Sequence, residues 1–470
     1  MKLIEALRYS QPTSMAFVGA GGKTTALFRV ARELLTASST NRSFKTILVS
    51  TSTHLGVWQS GRADHFVTVN SLSDISKLEK DLPPGVVLIS GEGKNNLLAG
   101  LPPSLMDGLR ALAENHDLPL LIEADGSHAC PLKAPATHEP AIPDFTESVV
   151  VVAGLQGLGK PLTKNWVHRP EIFMELSGLH PGEKVTEKAL VKVLLHLDGG
   201  LKNIPTSARR SVILNQADDP SLLTQAKTIS SQLIPGFHSC IISSLLGKDL
   251  KYPDFPADDI VQKEGILAVI EQIGGIILAA GGSSRFGEPK QLLLWKGQPL
   301  IRHVAVAALK AGLTPVVVVV GSSAEEVRAV LNDLPLRIVN NINWLTGLSS
   351  SIQGGISSLP KEVGGIVFLQ GDQPQIPHSL ITKLVEAHQT TLNPIVAPQI
   401  NGQRGNPVLF DSRTFTWLLS LIGDSGGREL FGQFPIQWVI WHDPRLLLDI
   451  DTPEDYRKFL EVYPQDEVRV

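Results

Sequence analysis

The chain has 470 residues, more than one hydrophobic core usually organises, so at least two domains are expected and two is the simplest division. Hydrophobic residues make up 43% and charged residues 19%, the balance of an ordinary globular protein, and a formal charge of −4 supplies no basic field for nucleic acid. Cys130 and Cys240 stand far apart without C-x-x-C spacing, and no apolar run reaches the length of a bilayer span or a signal-peptide core, so disulfides, a zinc site and a membrane segment are not expected; a cytoplasmic location fits.

Ser14 to Val18 reads as a strand that runs into Gly19-Ala20-Gly21-Gly22-Lys23-Thr24-Thr25, with a helical pattern through Leu35. Strand, glycine loop, Lys-Thr and helix together aim backbone N–H groups and a helix N-terminus at phosphates, with Lys23 as point charge and Thr24 as a Mg²⁺ ligand. The spacing departs from Walker A, because Phe17 stands where the first glycine belongs. Apolar strands at 46–50, 86–90, 119–122, 149–153 and 211–214 alternate with helices, which predicts a mostly parallel, doubly wound α/β sheet with ligands at the carboxyl ends of its strands. Thr51-Ser52-Thr53-His54 and Glu123-Ala124-Asp125-Gly126 occupy such ends, and Asp125 or Glu123 is the carboxylate expected beside a Mg²⁺-nucleotide. Asn215-Gln216-Ala217-Asp218 is similar to the base-reading N-K-x-D of GTPases with Gln for Lys; a strand-end turn accounts for it equally.

Pro253, Pro256 and a charged stretch precede a helical pattern from Gln262 to Ile273, dividing the chain into a first domain over 1–255, a linker over 256–273 and a second domain over 274–470. The second domain opens with GGIILAAGGSSRFGEPKQLLL, Gly274 to Leu294. An apolar strand breaks into a loop whose Gly281 and Gly282 let backbone N–H groups approach phosphates, with Arg285 and Lys290 placed to neutralise a triphosphate. It is neither Walker A nor G-x-G-x-x-G. Helices at 298–311 and 324–331 alternate with strands at 316–320 and 337–340, again an α/β doubly wound sheet, and Asn341 to Ser351 leads into another helix. A strand at 365–369 ends in Gln370-Gly371-Asp372-Gln373-Pro374, where a carboxylate faces the loop and a Mg²⁺ ligand is needed. Asp449 to Asp455, D-I-D-T-P-E-D, offers Asp451 as a second acid and equally reads as a Thr-capped helix start.

Several strings carry family resemblances. G-x-x-G-K-T-T resembles the short phosphate loop of Mur-type ligases. Together with STSTHLG, the run Glu123 to Pro140 and Val167-His168-Arg169-Pro170-Glu171, it resembles the YqeC family over most of residues 1–250. That resemblance implies an accessory role in maturing a selenium-dependent molybdenum hydroxylase client. The glycine loop and strand-end acid themselves, Gly19, Gly21, Gly22, Lys23, Thr24, Thr25 and Asp125, are expected to hold a nucleotide, ATP or GTP. Lys133, His138 and Arg169 are expected to contact an anionic ligand, whereas His54, His138, Glu139 and His168 match no metal-ligand spacing.

Leu278 to Lys290, L-A-A-G-x-S-x-R-F-G-x-x-K, resembles the MobA-like nucleotidyltransferases, with a nucleotide-diphospho-sugar-transferase type of fold. Among them it is most similar to the molybdenum cofactor cytidylyltransferases of MocA type: Ala280 stands where guanylyltransferases carry Gly, and G-D-Q-P replaces their C-D-x-P or T-D-x-P. The resemblance implies Arg285, Lys290 and Asp372 as catalytic residues, and Leu278, Ala279, Ala280, Gly281, Gly282, Asn341 and Ser349 as nucleotide contacts. Asp372 and Asp451 are implied as Mg²⁺ ligands, and the loops 403–408 and 423–428 as the acceptor region, where Asn406 replaces a His. The substrates implied are CTP and Mo-molybdopterin; the other readings are a guanylyltransferase, a sugar- or isoprenoid-phosphate nucleotidyltransferase, and a nucleotide-dependent cofactor carrier or insertion factor.

Overall fold

Met15 to Val18 are all buried although alternate side chains of a strand point to opposite faces, so the sheet they belong to is covered on both sides. The computed structural model describes residues 1–9, 14–36, 44–245, 265–282 and 286–464. It divides into two units, Met1–Ile270 and Glu271–Val470.

In the first unit β1 (Ser14–Gly19), β2 (Thr46–Thr51), β3 (Gly85–Lys94), β4 (Leu120–Glu123), β5 (Ser148–Gly154), β6 (Arg209–Asn215), β7 (Ser239–Ser243) and β8 (Ile266–Glu271) belong to an 11-stranded sheet. They follow the order β8-β7-β6-β5-β1-β4-β2-β3. The pairs from β7 across to β3 are parallel, as the alternation with helices predicts. Helix α1 (Lys23–Leu35) follows β1 directly and buries Lys23, Ala26, Leu27, Val30, Ala31 and Leu34, one stripe at helical spacing. One expectation fails here. Residues 266–271, read as part of a helical linker, form edge strand β8, because a short apolar run such as ILAVIE fits either period until a sheet edge takes it up. The proposed linker residues 256–264 lie outside the described residues.

The second unit builds an eight-stranded sheet from β9 (Ile273–Ala279), β10 (Val316–Val320), β11 (Arg337–Asn340), β12 (Gly365–Gln370), β13 (Ile395–Ile400), β14 (Val408–Asp411), β15 (Ile436–Ile440) and the short strand Gln403–Arg404. Its order is β11-β10-β9-β12-β14-β13, with β15 paired to β13. Strands β11 to β12 run parallel, and β14 is antiparallel to both neighbours. The five valines of β10 are all buried, the continuous apolar run of a strand covered on both faces. Among the described residues no helix is long and apolar enough to cross a membrane.

Candidate functional site

The register of β1 against β4 sets Phe17 opposite Glu123, so the glycine loop and the acidic turn leave the sheet side by side. Gly21 has φ +80°, and a Cβ on it would lie 2.4 Å from the Gly154 nitrogen; only glycine fits. The loop is tied down on both sides: Gly21 N–H donates to the Cys130 carbonyl at 3.2 Å, and Asn215 Nδ2 donates to the Gly21 carbonyl at 2.7 Å. Asn215 Oδ1 accepts from Ser243 Oγ at 3.1 Å and from Leu245 N–H at 2.9 Å. Its amide is thus spent on bracing the loop, and the N-x-x-D string is a local support here. Asp218, its last member, accepts from Gln156 Nε2 at 3.2 Å and from the Ser244 hydroxyl.

Lys23 is folded inward and only 4% exposed; its Nζ donates to the Gly19 carbonyl at 2.9 Å and lies 3.3 Å from Asp125 and 4.0 Å from Glu123. Thr24 Oγ1 donates to Glu123 Oε2 at 2.7 Å, and Asp125 Oδ2 accepts from Gly19 N–H at 2.9 Å. The structure thus brings Gly19, Gly21, Lys23, Thr24 and Asp125 together, with Glu123 among them. Gly22 caps α1, and Thr25 lies in its first turn, half-buried. Gln59, which no motif announces, donates from Nε2 to Thr24 Oγ1 at 3.2 Å.

From Asp125 a chain of buried charges leads away. Lys133 Nζ donates to Asp125 Oδ2 at 2.8 Å, to the Gly126 carbonyl at 2.7 Å and to Glu139 Oε2 at 2.8 Å, and Arg169 grips both oxygens of Glu139 at 2.7 and 2.8 Å. Lys133 and Arg169, expected to meet an anionic ligand, are held here in ion pairs within the protein. His138 is 4.0 Å from Glu139 with its side chain 78% exposed, and His54 is exposed. Burial pushes Glu123 above the usual carboxylate range, against the pull of Lys23. For Glu139 burial acts upward too, but the bonds from Arg169 and Lys133 outweigh it and hold the carboxyl down at about 2. His168, whose ring centroid stacks 4.7 Å from that of His128, is pushed down to about 4 by burial and then by Arg169 and Lys133.

Both depressed values imply acid sensitivity of the same sign. The unfolded chain takes up protons at 6.5 for His168 and 4.5 for Glu139, before the folded one does, so their stabilisation is complete above those values. It is lost as the pH falls from 6.5 through 4 for His168 and from 4.5 through 2 for Glu139. Hydrogen exchange of peptides covering β1 and β4 should quicken in those two windows, after correction for intrinsic rates, and Glu139→Gln should flatten the lower one. Protection independent of pH from 7 to 3 would contradict the assignment.

In the second unit the registers Ala279 to Val320 and Leu278 to Gln370 bring the glycine loop, Gly321 and Gly371-Asp372 to one sheet edge. A cavity of about 400 Å³ opens there, walled by Leu278 to Gly282, Lys290 and Asp372. Lys290 Nζ forms an ion pair with Asp372 and another with Asp451 Oδ1 at 3.1 Å, and it donates to the Ile450 carbonyl at 3.3 Å. Burial acts to lower the Lys290 pKa, but Asp372 and then Asp451 outweigh it and raise the value. Asp451 directly precedes Thr452, whose Oγ1 accepts from Asp455 N–H at 3.2 Å and caps α3 (Pro453–Val462), so the string is a helix cap and an acid site at once. Arg285 lies outside the described residues.

Asp372 and Asp451 offer hard carboxylate oxygens beside a glycine loop, the donor chemistry that Mg²⁺ and Mn²⁺ take through one or two protein oxygens with water and substrate phosphates completing the shell. No group of three or more His, Cys, Asp or Glu side chains among the described residues forms a metal cage.

Asn341 and Ser349 do not line this cavity. Asn341 Nδ2 donates to the hydroxyls of Ser350 at 2.8 Å and Ser351 at 3.0 Å, its Oδ1 accepts from Asn343 N–H at 2.9 Å, and Ser349 N–H donates to the Gly423 carbonyl at 3.1 Å. Both brace the entry to α2 (Leu348–Ser357). Trp344, Gln291, Ser351, Gln370 and Asp424 line the cavity and were not singled out from the sequence. Trp344 stands in Asn341-Ile342-Asn343-Trp344, within the run that leads into α2.

A second cavity of about 300 Å³ shares Leu278, Leu348, Gln370 and Asp424 with the first. Arg404, Arg428 and Glu429 give it charge, Asn406 adds a neutral amide, and Phe368, Phe410 and Phe431 give it aromatic walls. The Arg404 guanidinium lies 4.6 Å from the Phe431 ring centroid, and burial followed by the nearby Arg428 lowers its pKa.

Comparison with known proteins agrees with this division. The YqeC protein family model matches residues 15–171, and the MobA-like NTP transferase domain model matches 275–437. The chain is 34% identical over 206 residues to protein YqeC of Escherichia coli K12, covering 44% of this chain and 77% of the relative. It is 30% identical over 198 residues to nicotine blue oxidoreductase of Paenarthrobacter nicotinovorans, covering 40% of this chain and 96% of the relative. It is 28% identical over 196 residues to a probable molybdenum cofactor guanylyltransferase of Bacillus anthracis, covering 40% and 95%. The chain belongs to the YqeC family through its first unit, and its second unit carries a MobA-like NTP transferase domain, the domain of a nucleotidyltransferase.

Proposed function

We propose that the second unit transfers CMP from CTP to the terminal phosphate of Mo-molybdopterin, and that the first unit holds a nucleoside triphosphate, ATP or GTP, at Gly19 to Thr25. The observation that carries the first part is Lys290 held between Asp372 and Asp451 on the wall of the cavity that the glycine loop opens. An oxygen of the acceptor phosphate attacks the α-phosphorus in line. A new P–O bond forms, the bond to the bridging α–β oxygen breaks, and pyrophosphate leaves with the electron pair. Phosphate is already a nucleophile, so positioning and charge neutralisation suffice without a general base. Gly281 and Gly282 N–H groups receive phosphate oxygens, and Lys290 and Arg285 meet the charge that builds on the leaving group. Asp372 and Asp451 would hold Mg²⁺, which neutralises phosphate charge when bound. The second cavity suits the acceptor, its two arginines facing phosphate and its phenylalanines a flat ring system.

In the first unit Lys23 and Thr24 would turn from Asp125 and Glu123 to phosphate and metal. Joining a synthetic unit to a YqeC unit keeps a labile product at high local concentration for a molybdenum hydroxylase client.

CTP is favoured by Ala280 and by Gly371-Asp372-Gln373-Pro374. The likeness to guanylyltransferases supports GTP as the second reading. The test is to incubate the full chain with Mo-molybdopterin, Mg²⁺ and CTP, GTP or ATP separately, and to weigh the product. A cytosine dinucleotide is expected; a guanine dinucleotide moves the assignment to guanylyl transfer. No dinucleotide from any of the three, with verified cofactor, overturns the transferase reading in favour of a carrier. A redox turnover without dinucleotide would group the unit with the oxidoreductase relative.

A further inference from the structure

The large cavity of the second unit is lined by chemically different groups. Lys290 and Asp372 are charged and suit phosphates and metal, whereas Trp344, Leu345 and Leu348 are apolar. Trp344 lies against the glycine loop: a Cβ on Gly282 would meet its ring at 3.0 Å, and one on Gly321 would meet its Cγ at 2.8 Å and the Ala280 carbonyl at 2.5 Å. The indole therefore occupies space that side chains at both positions would need. It is only half-buried, so part of it is open. Its position is over-determined by polar side chains that themselves stay out of the cavity wall. Asn341 binds Asn343 N–H and Ser350, and Ser350 Oγ donates to the Asn343 and Gly347 carbonyls at 3.1 and 2.8 Å, which fixes the turn Trp344–Thr346 on both sides.

From this arrangement we propose that Trp344 is the stacking platform for the base of the nucleotide, with Asn341 and Ser350 as its positioning residues. The proposal deepens the nucleotide-transfer reading and rests on its placement of the triphosphate. With the phosphates at Gly281, Gly282 and Lys290, the adjoining flat surface is this indole, and every nucleobase presents a π-face to it. Stacking of this kind adds affinity without choosing between bases, so discrimination of CTP from GTP lies with groups at the base edge.

The test compares two probes on the full chain, CTP with Mg²⁺ and inorganic triphosphate with Mg²⁺, by equilibrium titration of the wild type, Trp344→Ala and Trp344→Phe. Any binding by the first unit is common to all three chains and cancels in the comparison. The alanine variant should weaken CTP binding at one site by at least about tenfold and leave triphosphate within about twofold, and phenylalanine should restore most of the loss. Equal weakening of both probes overturns the proposal, because the indole then serves only to shape the glycine loop. Unchanged binding of both overturns it too. Trp344-dependent CTP binding in a chain that makes no dinucleotide would remove the transferase reading and leave the platform standing. Should the alanine variant fail to fold, phenylalanine and histidine variants carry the same comparison.

Discussion

Lys290→Ala is expected to slow nucleotidyl transfer by about 10² to 10³-fold, and Asp372→Ala by a similar factor, because each removes a preorganised charge from the place where negative charge moves during phosphoryl transfer. The two are coupled in the structure, since the Lys290 ammonium is shared between Asp372 and Asp451. Residues that act as a unit lose most of their effect with the first removal, so the double variant should be little slower than either single one. Asp451, with its side chain 57% exposed, should matter less than Asp372 at 20%. The measurement is the single-turnover rate at saturating nucleotide and acceptor. Near-wild-type rates in both single variants would remove Lys290 and Asp372 from the chemistry.

The second large effect is on stability. Asp125→Ala in the first unit leaves Lys23 and Lys133 buried, both side chains 3% exposed, without the carboxylate they share. It also leaves Gly19 N–H without its acceptor. Removing one member of a buried ionic group costs about 3–5 kcal/mol, and the lower end is expected here, because Lys133 keeps Glu139 while Lys23 keeps only Glu123 at 4.0 Å. Hydrogen exchange of β1 and β4 peptides should therefore speed up by about two orders of magnitude or more where it reports global opening, about tenfold per 1.4 kcal/mol. Asp125→Asn, which keeps an acceptor for Gly19, should lose less. Unaltered exchange in the alanine variant would show the ion pairs to be energetically idle.

The sheets and the two glycine loops are legible in the sequence because they are local: strand, loop and helix follow each other within about 20 residues, and parallel strands announce themselves as unbroken apolar runs. What escaped depends on contacts between distant positions. Nothing near Asn215 says that its amide faces Gly21, 194 residues earlier, so its motif suggested a base reader where the fold uses a brace. Lys133 and Arg169 look free to meet a ligand until the turn holding Glu139 folds between them. Asp451 was placed near the metal by resemblance, but its link to Lys290 spans 161 residues and appears only when α3 is docked. The run Asn341 to Ser351 is visible in the sequence, but that Trp344 rather than Asn341 or Ser349 walls the cavity depends on the distant glycines at 282 and 321 against which its ring packs. Residues 266–271 were misread because six apolar residues satisfy either period, and the available sheet edge decided.

The ion-paired groups around Asp125, Lys23, Lys133 and the partly exposed Arg169 against Glu123, Asp125 and Glu139, balance in formal charge, with Arg62 also acting on Glu123. Such a cluster sets a condition of electroneutrality on whatever enters. A bare triphosphate that drew Lys23 outward would strand carboxylates in a medium that cannot solvate them. If the first unit holds a triphosphate as proposed, one arriving with its own divalent cation would exchange partners evenly, the metal meeting the carboxylate oxygens and the lysine the phosphate. On that reading the loop is expected to prefer the metal complex of its ligand, and selectivity against the free anion would be a property of the charge balance behind the loop as much as of the loop itself.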